Sequence, residues 1–191
     1  QTAAEVLGKR KEEITSDERS MAKAVNFGLM YGQSSFGLAA ALKISRQEAK
    51  DYITKYFSRF GQVKAYLDSL KDECEKTGYA ITYYGRKRFL PDITSQNRTI
   101  KAMAERVAVN SPIQGTAADI IKKAMINIDK TLEDRGLKSR MILQVHDELI
   151  FEVPEEEINV MKVLVREGME GVVKLKVPLQ VDMSYGVNWY D

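Results

Sequence analysis

Arg19, Lys23, Phe27 and Tyr31 recur at every fourth position of the chain, a spacing that drifts only slowly around one face of an α-helix. Two cations about one turn apart can grip a polyphosphate, the guanidinium as a fork and the ammonium as a point charge. Aromatics further along the same stripe can stack on a sugar or a base. Ala22, Val25 and Leu29 fall roughly opposite and would form the buried face. Spacing alone leaves a second meaning open: a surface helix whose aromatics pack on another lobe, a common pattern.

A second group is Val145-His146-Asp147-Glu148, set between the apolar runs Met141–Val145 and Leu149–Val153. Two strand-like runs so closely joined predict a hairpin, with Asp147 and Glu148 projecting from its tip. Hard cations such as Mg²⁺ take carboxylate oxygens together with substrate phosphates, and a metal pair can flank a phosphoryl group in transfer. One adjacent carboxylate pair is too few for two metals, so a further acidic residue would be required. The alternative is a polar turn, in which Asp is common.

Arg106, Asn110 and Gln114 are also four apart. Such side chains can bond base edges and sugars, and in a minor groove they would sense shape more than sequence. Gln114 could instead complete a capping box begun by Ser111. The run Arg86-Lys87-Arg88 suits phosphate contacts or a solvated loop equally well. With His146 the one histidine and Cys74 the one cysteine, neither a zinc cluster nor a supported Ser-His-Asp triad can be assembled.

The elements that must position these residues read as follows. Asp17 is a candidate cap for a helix over Glu18–Tyr31, stopped by Gly32. Ser45 and Glu48 form a capping box, and apolar residues at helical spacing continue to Phe60, where Gly61 breaks the pattern. A helix over Val63–Lys76 ends at Gly78, and Tyr79–Tyr84 is extended. Gly85 turns the chain into the basic run, and Pro91-Asp92 closes that loop. A helix over Thr99–Asn110 should be interrupted by Pro112 and restarted by the Ser111 cap, reaching about Arg135. After the hairpin, Glu155–Gly171 reads as a helix and Val177–Tyr185 as a last strand. Helices first, then helices with antiparallel strands, predict an α+β fold rather than alternating βαβ units.

Composition is that of an ordinary globular protein, with 44% hydrophobic and 29% charged residues. No apolar run is long enough for a membrane helix, no secretory leader is present, and the lone cysteine suits a reducing cytosol. Residues 1–110 hold 19 Lys+Arg against 13 Asp+Glu, and residues 111–191 hold 10 against 14, a formal +6 and −4. This asymmetry suits an anionic partner in the first part and a cation in the second, or simply a solvated surface. The chain opens on Gln1 without a start methionine, and Thr2–Leu7 reads as a helix already under way; both point to a piece of a longer protein.

Together these segments resemble the family A DNA polymerases of the bacterial type. Arg19-x3-Lys23-x3-Phe27-x3-Tyr31-Gly32 is similar to the family's fingers-helix motif, and Gln144-Val145-His146-Asp147-Glu148 to its palm motif. Arg106-x3-Asn110-x3-Gln114-Gly115-Thr116-Ala117-Ala118-Asp119 and Gly85-Arg86-Lys87-Arg88 with Pro91-Asp92 fit the family pattern between them, so the likeness covers essentially the whole chain. Several long motifs in order are far more specific than any one. The resemblance implies a helical fingers subdomain over about residues 1–95 and the C-terminal part of a palm, with antiparallel strands and a long helix, over about 96–191. It implies that Arg19 and Lys23 bind the phosphates of an incoming dNTP, that Phe27 packs on its sugar and base, and that Tyr31 lies beside the templating pair. Arg86, Arg106, Asn110, Gln114 and His146 would contact primer–template DNA. Asp147, catalytic with Lys23, would hold Mg²⁺ with Glu148 in support. The implied reaction is nucleotidyl transfer to a primer 3′-hydroxyl in the bacterial cytoplasm, with no membrane partner. The family's first metal-binding palm motif, its thumb and any exonuclease domains are expected upstream of Gln1, which would leave this chain inactive alone. A fragment of a single-subunit RNA polymerase and a non-catalytic nucleic-acid-binding module are the alternatives.

Overall fold

The computed structural model describes residue 4 and residues 9–189, apart from the Lys11 side chain; the helix expected over Thr2–Leu7 otherwise lies outside the described residues. The chain forms two compact units, Gln1–Thr116 and Ala117–Asp191. Among the described residues no helix is long and apolar enough to cross a membrane. The fold is α+β, as the order of elements predicted.

In the first unit, α1 spans Ser16–Met30. Its cap is Thr15, not Asp17: Thr15 Oγ1 accepts from the Glu18 N–H at 3.2 Å, and Glu18 Oε2 accepts from the Thr15 N–H at 3.0 Å. This reciprocal box satisfies two otherwise free donors, and Asp17 becomes a first-turn acid that favours the positive helix end. Lys9 pairs with the same carboxylate, so the Lys9 ammonium and the Thr15 amide hold Glu18 below the usual glutamate range. Helix α2, Ser35–Leu42, was not evident from sequence. It is short and apolar on most sides, which erases the periodic signal, and it ends at Lys43 in the left-handed region at φ 54° rather than at glycine. The Ser45–Glu48 box opens α3, Arg46–Arg59, as expected. Gly61 does not merely end that helix; it is the first residue of α4, Gly61–Thr77, which stops at Gly78 with φ 79°. Val25 and Leu29 of α1 pack with Leu38, Ala39, Ala49 and Tyr56 into one core, and the Tyr56 hydroxyl donates to Asn26 Oδ1 at 2.6 Å.

Strands β1, Tyr79–Ile81, and β2, Lys87–Phe89, pair antiparallel. Lys87 and Arg88 of the basic run are therefore strand rather than loop, and Pro91–Thr94 is a turn of 3-10 helix. A second core joins Cys74, Ala80, Leu90 and Ile93 to Ala104 and Ala108. These last two lie on α5, Arg98–Asp134, which runs without interruption through Pro112. The expected break is absent. Proline inside a helix removes one hydrogen bond and crowds the carbonyl of Ala108, at about 3 kcal/mol. Ala104, Ala108, Val109 and Pro112 are buried, and Ala104 and Ala108 pack into the second core, which favours the continuous helix against that cost. Ser111, expected to cap forward, points back instead and donates to the Val107 carbonyl at 2.6 Å.

In the second unit, β3, Arg140–Val145, and β4, Glu148–Glu152, form the predicted hairpin. Val145 pairs with Glu148, so the connection is His146-Asp147 alone and Glu148 belongs to the strand rather than the turn. A 3-10 turn at Glu155–Glu157 leads into α6, Ile158–Glu170. Met161, Leu164 and Val165 of α6 pack on Ile128 and Leu132 of α5. Val177–Tyr185 is not a strand. An extended run needs a neighbouring edge to pair with, and this one lies on α6: the Val181 N–H donates to Glu170 Oε1 at 2.9 Å, and Lys162 Nζ sits 3.9 Å from the centre of the Tyr185 ring.

Glu157 joins the start of β3 to the 3-10 turn. Its carboxylate accepts from the Lys138 and Ser139 N–H groups, both at 2.9 Å, and from Ser139 Oγ at 2.5 Å. The backbone bond from Lys138 and the hydroxyl bond from Ser139 lower its pKa from the ordinary 4.5. A lowered folded value means that this contribution is complete above 4.5 and is lost as pH falls through the folded value. Glu157→Gln is therefore expected to lower the melting temperature at neutral pH and to make its decline below about pH 4.5 shallower, as read by thermal melts across that range.

Candidate functional site

On α1 the stripe faces outward. Val25 and Leu29 are 2% and 3% exposed, whereas Phe27 is 48% exposed, and Arg19 and Lys23 are exposed as well. Lys23 Nζ lies 5.9 Å from the centre of the Phe27 ring, and the Phe27 and Tyr31 rings stack at 6.3 Å with planes 16° apart. Lys23, Phe27 and Tyr31 thus form a continuous ladder along one edge of the helix, with Phe27 exposed and Tyr31 half-buried. The Tyr56–Asn26 bond and the buried face fix the helix's rotation about its axis.

The end of the ladder is built by glycine. Gly32 has φ 72°, and a Cβ there would lie 3.3 Å from Arg106 Cγ, so the turn after Tyr31 rests against Arg106. Gln33, which the sequence did not single out, reaches back over α1. A Cβ on Gly28 would fall 2.0 Å from Gln33 Oε1, and one on Gly37 would fall 3.1 Å from Gln33 Cγ. Its amide therefore occupies room left by two missing side chains. Pairs of glycines flanking a long polar residue were the available signal.

Because α5 is unbroken, Arg106, Asn110 and Gln114 lie on successive turns of one rigid helix, with Arg106 and Gln114 exposed. Asn110 Oδ1 is buried without a hydrogen-bond partner, a situation that costs about 1–3 kcal/mol. Arg86 is directed toward this helix: its Nη2 donates to the Gly115 carbonyl at 3.0 Å, and the Tyr83 N–H donates to Thr116 Oγ1 at 2.9 Å. Gly115 makes this approach possible, since a Cβ there would lie 2.6 Å from Thr82 Cγ2. Gly115→Ala should accordingly destabilise by about 1–3 kcal/mol through overpacking, although alanine favours an open helical position by about 1 kcal/mol. Chemical denaturation of the two proteins checks the sign.

In the second unit, His146 and Asp147 are the two turn residues. His146 holds φ 53°, the left-handed conformation that a two-residue hairpin requires at its first position and that a non-glycine residue adopts at some strain. Gln144 Nε2 donates to the His146 carbonyl at 2.9 Å and braces the turn. His146, Asp147 and Glu148 are exposed. The Asp147 and Glu148 carboxylates are hard oxygen donors of the kind Mg²⁺ takes, and they fit part of such a site. No group of three His, Cys, Asp or Glu suited to a metal occurs among the described residues. Arg19, Lys23, Phe27, Tyr31, Arg86, Arg106, Asn110 and Gln114 thus belong to the first unit, and His146, Asp147 and Glu148 to the second.

The model of DNA polymerase family A matches residues 1–191. The chain is 51% identical over 191 residues to a DNA polymerase I of Caldicellulosiruptor bescii and 50% identical over 190 residues to that of Geobacillus stearothermophilus, covering all of this chain and 22% of each relative. It is also similar, at TM-score 0.94 and 49% identity, to the solved polymerase domain of Pol1 from M. smegmatis in complex with DNA primer-template and dNTP, over 98% of this chain and 33% of that one. The chain spans about a fifth of the length of the curated relatives it matches. On the full-length match to the family's model, this chain belongs to DNA polymerase family A.

Proposed function

We propose that this chain supplies the fingers, about residues 1–95, and the C-terminal part of the palm, about residues 96–191, of a bacterial DNA-directed DNA polymerase. The observation that carries this reading is the outward ladder on α1, two cations followed by two stacked aromatics, in a chain so similar to a polymerase domain solved with primer-template and dNTP. In this reading Arg19 and Lys23 bind and neutralise the dNTP phosphates, Phe27 packs on its sugar and base, and Tyr31 ends the ladder beside the templating pair. Arg106, Asn110 and Gln114 follow the primer–template along α5. Arg86 and His146 add DNA contacts. The reaction forms a bond from the primer 3′-oxygen to the α-phosphorus and breaks the bond to the β-phosphate, releasing pyrophosphate. Positioning and charge neutralisation supply most of the acceleration for such transfers.

Asp147 and Glu148 would hold Mg²⁺, Asp147 directly and Glu148 in support. When bound, the cation neutralises charge on the phosphates and activates the attacking hydroxyl. Two carboxylates are too few for a metal pair, so the remaining ligands are assigned to the rest of the polymerase, with its thumb and any nuclease domains. Primer extension tests the reading. The longer polymerase that carries this chain is expected to incorporate dNTPs and to discriminate against rNTPs, whereas the 191 residues alone should extend nothing. Preference for rNTPs would assign the chain to an RNA polymerase. DNA binding without extension by the longer protein would leave a binding module.

A further inference from the structure

We propose that the outer face of the β1–β2 hairpin is a stacking platform for single-stranded DNA, separate from the nucleotide ladder on α1. The proposal rests on the polymerase reading for its partner, the unpaired stretch of a template strand. Pairing of Tyr79 with Phe89, Ala80 with Arg88 and Ile81 with Lys87 sorts the hairpin's faces, because successive side chains on a strand point to opposite sides. Ala80 is 3% exposed and belongs to the core. Tyr79, Ile81, Lys87 and Phe89 therefore face away from it. Phe89 is 75% exposed, and Tyr83, in the connecting turn, is 64% exposed.

The arrangement on that face is specific. Lys87 Nζ lies 4.2 Å from the centre of the Tyr79 ring, and the Tyr79 and Phe89 rings meet edge to face at 6.0 Å. Tyr79 thus braces both neighbours, holding the ammonium on one side and the Phe89 ring on the other. Lys87 supplies a cation on this face, whereas Arg88 pairs with Ala80 on the opposite one and Arg86 donates to the Gly115 carbonyl, and residues 79–90 contain no acidic residue. An exposed ring with a cation beside it is a combination that binds unpaired strands without sequence preference, bases on the aromatic face and a phosphate on the cation. A protein partner is disfavoured here, since the cores of protein interfaces are depleted of lysine, and Lys87 sits in the middle of this one.

The test uses the full polymerase and primer–templates of constant duplex, with a template overhang of either one or about ten nucleotides, measured by fluorescence anisotropy. Wild-type protein is expected to bind the long overhang more tightly. Phe89→Ala should remove about tenfold of affinity for the long overhang while changing the short one less than about twofold. Phe89→Trp should keep the gain, because stacking persists. Lys87→Ala should reduce the slope of log affinity against log salt by about 0.7 on the long overhang only. The proposal is overturned if wild-type protein gains nothing from the overhang, if the gain survives Phe89→Ala, or if both substrates lose affinity by the same factor. Incorporation of one dNTP on the short overhang by wild-type protein separates the two readings. Its failure counts against the polymerase assignment, and its success with an overhang gain that survives Phe89→Ala counts against the platform alone.

Discussion

Asp147→Asn, made in the full-length polymerase, is expected to reduce primer extension by about a thousandfold or more while leaving the melting temperature nearly unchanged. The two halves of that expectation have separate causes. Asp147 is exposed at the tip of a two-residue turn, and asparagine has the same shape and is itself a common turn residue, so the β3–β4 register should persist. What is lost is a full negative charge on a hard oxygen donor. If that carboxylate holds Mg²⁺ against the phosphates, its removal takes away stabilisation that exists mainly in the transition state. Glu148→Gln should cost less, about tenfold, in keeping with a supporting ligand at the first position of β4. Steady-state extension beside a thermal melt distinguishes these outcomes, and Asp147→Asn protein retaining more than about a tenth of wild-type activity would falsify the metal role.

Lys23→Ala should lower kcat/KM for dNTP incorporation by about a hundredfold to a thousandfold, a range typical of losing one preorganised charge at a reacting phosphate. Lys23 is exposed and its ammonium approaches Phe27 as a cation over a ring, so the helix itself should survive the change, held by Val25 and Leu29 from the other side. Lys23→Arg should recover part of the loss, because charge returns but the planar fork directs it differently. Single-turnover incorporation at varied dNTP concentration separates weaker nucleotide binding from slower chemistry. Normal kinetics in Lys23→Ala protein would remove α1 from the reaction.

Much of the local structure was legible in the residues. The Ser45–Glu48 box, the Gly78 stop and the His146-Asp147 hairpin are set by short-range chemistry: a side chain that satisfies free amides, a residue without a Cβ in a left-handed turn, and apolar strands flanking a tight reversal. The misses share a physical cause as well. Thr15 and Asp17 can both cap a helix, and the choice fell to Thr15 because Glu18 stands three residues after it and completes the box. Helix α2 carries no polar face to mark its period, and Leu38 and Ala39 are held by the core they help to fill. Val177–Tyr185 has the composition of a strand, but composition does not provide an edge to pair with.

The sequence by itself determined which chemistries are available: the cation–aromatic series on one helical face, the carboxylates beside a hairpin turn, and an order of motifs specific enough to name the family. These are properties of residue type and spacing, which secondary structure converts into faces without further information. Only the tertiary structure decided that α5 passes through Pro112, because packing of Ala104 and Ala108 on Cys74, Ala80, Leu90 and Ile93 works against the roughly 3 kcal/mol of that defect. That continuity places Arg106, Asn110 and Gln114 on one rigid helix. Tertiary packing likewise left Phe27 in the open while burying Leu29 two residues away, and it turned the basic run into a strand whose partner presents Tyr79 to Lys87 and Phe89. Long-range packing weighs the local alternatives against one another, and no window of sequence contains both sides of that balance.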